Sequence, residues 1–156
     1  MLPGEDAAWP ARPRTDKDNP VDPDPTYARR LGYRFGGYEF DADGLPRLLY
    51  ESSGVSVVDQ GERVEIEGGS LLRRSLTLTA QAPTTLTLRA LTGALEQRAE
   101  HVYARGRLEL RLPDLPHRLR PLPAADPEGA SESELLLELA LPAGTTTVSL
   151  DYALLD

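Results

Sequence analysis

A chain of 156 residues, 40% apolar and 27% charged, fits one domain able to bury roughly two-thirds of the surface its unfolded form exposes. A formal net charge of −8 argues against nucleic acid as a partner, since such binders draw affinity from clustered Lys and Arg. The absence of Cys excludes disulfides, thiol catalysis, zinc–thiolate sites and covalent haem attachment through paired thiols.

The first residues, Met1 to Trp9, lack a basic stretch followed by an apolar one. No apolar run approaches the length of about eighteen residues that a spanning helix needs. The expectation is therefore a chain with no visible signal peptide and no membrane-spanning segment. Residues 1–30 carry Pro3, Pro10, Pro13, Pro20, Pro23 and Pro25, interspersed with Asp16, Asp18, Asp22 and Asp24. Proline fixes φ and lacks the backbone donor, so this stretch is predicted to be an extended arm that joins no central ladder. Within it Trp9 and Tyr27 are the residues expected to make a partner contact, because a buried aromatic ring anchors an otherwise loose segment.

Residues 31–156 are predicted to form a single antiparallel β-sandwich. From Tyr33 the pattern turns to period two, with Tyr33, Phe35 and Gly37 on one side and Arg34, Gly36 and Tyr38 on the other, up to Phe40. The glycine pair marks a bulge or a close approach. Asp41 to Gly44 is turn chemistry, and Leu45 to Glu51 reads as the returning strand of a hairpin. Further strands are predicted at 55–60, 63–67, 71–80, 84–91, 102–105, 106–112, 135–141 and 146–153. Leu76 and Leu78, Leu86 and Leu88, and Val148, Leu150 and Tyr152 alternate with polar neighbours. Repeated short strands with Gly and Pro turns indicate two packed antiparallel sheets. Gly93 to Ala104 contains good helix formers and reads equally as strand and turn. Pro113 to Gly129 reads as a long Pro-rich loop.

Asp41 and Asp43, followed by Gly44, resemble the opening of a calcium loop, but downstream acidic ligands at that spacing are missing. His101 and His117 have no acid or second His at metal-ligand spacing, and a composite catalytic site would need both in one cleft with a carboxylate. Ser52, Ser53 and Ser70 lie near glycines without the Gly-x-Ser-x-Gly elbow of a hydrolase. Tyr33, Tyr38 and Tyr50 could form a stacking platform for sugar rings, a reading that requires an exposed coplanar pair; buried aromatics of a sandwich core are the alternative.

The run GYRFGGYEFDADGLPRLLY from Gly32 to Tyr50, followed by VSVVD from Val55 to Asp59, resembles a recurrent module of large secreted bacterial proteins. In those proteins a sugar-dehydrogenase-like propeller and a c-type cytochrome domain share the polypeptide. Leu72 to Leu76, Leu141 to Tyr152 and the early Ala8, Trp9 and Pro10 are similar to the same module, whose usual Thr-Phe after the turn proline is Arg47-Leu48 here. The resemblance implies a non-catalytic accessory module, periplasmic or extracellular, docking onto a protein partner in a larger assembly concerned with electron transfer. It carries no catalytic residue and no cofactor of its own. A carbohydrate-binding module is the alternative expectation.

Overall fold

The computed structural model describes residues 15–16, 19–23, 33–122 and 131–155, and Trp9 and Tyr27 lie outside them. Every regular element among these residues is a strand: β1 (Thr15–Asp16), β2 (Asn19–Pro23), β3 (Tyr33–Phe40), β4 (Pro46–Ser52), β5 (Val55–Ile66), β6 (Gly69–Ala80) and β7 (Thr84–Gly93), then β8 (Glu96–Ala99), β9 (Val102–Arg105), β10 (Leu108–Arg111), β11 (His117–Pro121), β12 (Ser133–Leu141) and β13 (Gly144–Leu154). No described helix is long and apolar enough to cross a membrane. Among the described residues β1 and β2 form a two-stranded antiparallel sheet of their own. The other strands form an eight-stranded antiparallel sheet, in the order β3-β4-β5-β6-β13-β10-β9-β8, and a three-stranded one, β11-β12-β7.

Alternation sets the layers. Directly opposed residues in an antiparallel ladder share a face, so Val55, Val57, Leu76, Leu78, Ala80, Val148, Leu150 and Leu110 all project to one side of the long sheet. There they meet Leu86, Leu88 and Leu91 of β7 and Leu135, Leu137, Leu139 and Leu141 of β12 in a single core. The opposite face is polar, with hydroxyl pairs Ser75–Ser149 at 3.2 Å and Thr79–Thr145 at 3.1 Å. Arg73 forms a two-pronged bond with Asp151 on that face, at 2.8 Å for each prong.

Local turn chemistry fixes the hairpins. Ser53 and Gly54 both have positive φ, 51° and 78°, which is the two-residue turn whose twist matches the flanking strands. The next hairpin turns through Glu67 and Gly68, joining strands of twelve residues each. Here 55–60 and 63–67, predicted as separate strands, are one, because Gly61 continues the ladder opposite Arg74. The Gly93 to Ala104 stretch resolves as the end of β7, β8 and the start of β9 rather than helix. The loop predicted from Pro113 contains β11, an edge strand that ends on Pro121, where a missing donor is tolerated.

Candidate functional site

The three-stranded sheet covers only part of the long one. On the β3–β4 side the core face of the long sheet continues without a second layer among the described residues, and it carries Phe35, Tyr38, Phe40 and Leu48, exposed by 56%, 65%, 64% and 45%. Simple alternation would have sent Tyr38 to the face opposite Tyr33 and Phe35. The register shows otherwise: Phe35 opposes Tyr50, Gly37 opposes Leu49 and Tyr38 opposes Leu48, so Gly36 is an extra residue and the strand changes phase there. All four aromatic residues of β3 consequently share the core face.

Each glycine of the bulge has its own reason. A Cβ on Gly36 would sit 3.3 Å from the Leu49 carbonyl oxygen, and Gly37 adopts φ of +114°, a conformation that side chains disfavour.

Between the covered and uncovered parts lies a polar seam. Arg74 donates through Nε and Nη2 to the two carboxylate oxygens of Asp59, at 2.9 and 2.6 Å. The Tyr50 hydroxyl donates to the same carboxylate at 3.3 Å. The Tyr152 hydroxyl reaches across the layers to the carbonyl of Ala90 at 3.3 Å. That carbonyl is available because Ala90 is the extra residue of a second bulge, where Leu91 opposes Leu135 but Arg89 opposes Leu136. Burial raises the hydroxyl of Tyr50 well above its ordinary value, and the Asp59 carboxylate adds to the shift. The bond to Asp59 raises the Arg74 guanidinium above its ordinary value.

The stacking residues therefore divide. Tyr33 and Tyr50 lie in partial contact at 5.1 Å with a 37° tilt, and Tyr50 packs against the core. Tyr38 is exposed and meets Phe40 edge-on, at 5.8 Å and 85°. Neither pair is coplanar. Asp41 and Asp43 shape the β3–β4 turn: Oδ1 of Asp41 accepts from the amides of Asp43 at 3.0 Å and Leu45 at 2.8 Å. Its Oδ2 accepts from Gln60 at 2.5 Å. These bonds, the Leu45 amide foremost, hold the Asp41 carboxyl below the usual carboxylate range. Among the described residues no group of three His, Cys, Asp or Glu is placed to hold a metal ion.

The spacing of the histidines gave no reason to expect them together, yet their rings lie 5.2 Å apart. The chain crosses from one sheet to the other between β10 and β11, and the Leu112 amide donates to the His101 carbonyl at 2.8 Å, which lays the crossover against the β8–β9 turn. His101 Nε2 is 3.7 Å from Asp114, whose side chain is fully solvated, and His117 Nδ1 is bonded to the Leu115 carbonyl at 2.9 Å. On the outer face of the small sheet, Glu134 is fully buried between Arg120, to which it is bonded, and Arg89 at 3.8 Å.

Compared with known proteins, the chain matches no family model and no curated protein.

Proposed function

We propose that the chain is a non-catalytic interaction module that docks a protein partner on the uncovered part of its core face. The observation that carries this reading is the continuity of that surface with the interior. Phe35, Tyr38, Phe40 and Leu48 occupy positions that, under the small sheet, belong to the core, and here they meet no second layer among the described residues. Exposed apolar side chains gathered on one face mark an interaction site more often than scattered ones do. With a net charge of −8 on this chain, the complementary partner is an apolar surface with a basic rim. An extracytoplasmic assembly concerned with electron transfer is the setting that the resemblance of residues 32–59 suggests, with the 1–30 arm and its Trp9 and Tyr27 as a second contact. The tilted and edge-on ring pairs favour protein over sugar, which stacks on coplanar rings.

The test is affinity purification from the native source with wild type, a Phe35→Ser/Tyr38→Ser double variant and a form lacking residues 1–30, followed by hydrogen exchange on the reconstituted complex. We expect a partner that protects β3 and β4 amides in the wild type and is lost by the double variant. That variant should melt at the wild-type temperature, because exposed side chains contribute within about 0.5 kcal/mol. A partner that binds the double variant as tightly as wild type would overturn the reading. Loss on truncation alone would transfer the contact to the arm.

A further inference from the structure

β3 is the first strand of the eight-stranded sheet, so one edge of its backbone N–H and C=O groups has no strand beside it among the described residues. Such edges are ordinarily blunted by short length, bulges, proline or like charges. Two other edges of this protein follow that rule. β8 is four exposed residues with an irregular register, and β11 ends on Pro121 and carries Arg118 and Arg120, which would meet each other in a self-pairing. β3 has a bulge, at Gly36, but it is eight residues long, contains no proline and carries one charge of each sign, Arg34 and Glu39.

Its sequence, Tyr-Arg-Phe-Gly-Gly-Tyr-Glu-Phe, is complementary to its own reverse. Laid antiparallel against a second β3 about a two-fold axis through the Gly36–Gly37 peptide, Tyr33 falls opposite Phe40 of the second copy, Arg34 opposite its Glu39, and Phe35 opposite its Tyr38. The faces agree as well as the residue types. In a regular strand an odd-numbered residue and an even-numbered one point to opposite sides, and this register would be impossible. The bulge at Gly36 shifts the phase halfway along, so Tyr33, Phe35, Tyr38 and Phe40 share the core face while Arg34 and Glu39 share the polar one. At the axis itself stand two glycines, and a Cβ built on Gly37 meets nothing within 4 Å.

From this we infer that the chain self-associates through β3, forming a two-fold dimer in which the two long sheets become one continuous sheet. The interface is isologous, so each complementary pair occurs twice. Opposite charges and aromatic pairs directly across a ladder are the side-chain combinations that stabilise antiparallel pairing. The dimer also joins the exposed aromatic faces of both copies into one surface. This inference goes beyond the docking reading and does not depend on it, since it is tested on the purified chain alone.

Sedimentation velocity of the full chain over a concentration series should show a species of twice 17.0 kDa. Arg34→Glu places Glu opposite Glu39 at both symmetry-related positions, and Glu39→Arg places Arg opposite Arg34. Each single variant should weaken dimerisation by at least about tenfold. An equimolar mixture of the two restores both opposite-charge pairs and should recover the two-chain species, as should the double variant Arg34→Glu/Glu39→Arg alone. Arg34 also bonds Glu51 within its own chain, at 2.7 Å. Rescue by mixing separates loss of the interface from damage to the fold, because a misfolded chain gains nothing from a second misfolded chain. A wild-type chain that stays single over the whole accessible range, or single variants that dimerise as well as wild type, would overturn the inference.

Discussion

The long sheet is built on one plan but lives in two environments. Under the small sheet Val55, Val57, Leu76, Leu78, Leu110, Val148 and Leu150 have almost no access to solvent. Toward β3 and β4 the same face carries aromatic rings that remain largely in water. The backbone ladder runs on between them, with the bulge at Gly36 its one irregularity, so the difference is one of layers and not of strand quality. Stability resides where two apolar faces meet, and the proposed docking surface is the part of the same face that has no second layer among the described residues. The Asp59–Arg74–Tyr50 seam lies between the two, so on that side the interior ends on polar groups bonded to one another.

The largest expected effect tests the division directly. Leu135→Ala, in β12, removes a fully buried side chain that joins the layers, and should lower unfolding free energy by about 3–4 kcal/mol. Leu48→Ala on the open side should cost less than about 1 kcal/mol. Equal losses in urea titrations of the two variants would show that the open side is covered in solution and would break the comparison.

The seam comes next. Asp59→Ala strands the Arg74 guanidinium between Tyr50 and Tyr152, and should destabilise by about 3 kcal/mol, the lower part of the range for breaking a buried pair, since Arg74 keeps some contact with water. The double change Asp59→Leu/Arg74→Met removes both charges and should recover most of that loss in the same thermal melts. Failure to recover would mean that the seam is required for the fold itself and not only mutually satisfied.

The covered part of the protein was largely legible in the sequence and the seam was not, for physical reasons. Leu76 and Leu78, Leu86 and Leu88, and Val148 and Leu150 alternate with Ser and Thr because one side of each strand is dry and the other wet, and that periodicity is written locally. The Asp41 turn was equally readable, since its side chain bonds to amides two and four residues on. By contrast, Asp59 and Arg74 meet only through the register of a long hairpin, and His101 and His117 only because the crossover between sheets folds back on a turn. β11 escaped notice because its Arg and Pro content is that of a loop, and its strand character comes from pairing with β12. The bulge was visible as a glycine pair, but its consequence, four aromatics on one face, depends on which glycine is the extra residue.

The smallest effect sharpens the boundary through pH. Burial raises the hydroxyls of Tyr50, Tyr152 and Tyr33, so the folded chain holds these protons more tightly than the unfolded chain, whose tyrosines ionise near pH 10. Their contribution is therefore intact below about pH 10 and is lost as pH rises from there toward the folded values, with a slope of about 1.4 kcal/mol per pH unit for each proton released on unfolding. Tyr50→Phe removes one such proton and one 3.3 Å hydrogen bond. It should cost about 1 kcal/mol or less at neutral pH and flatten the alkaline decline of the urea midpoint by one proton. A decline that Tyr50→Phe leaves unchanged would show that the Tyr50 hydroxyl is open to water, and would move the limit of the dry part of the sheet back from β4 to β5.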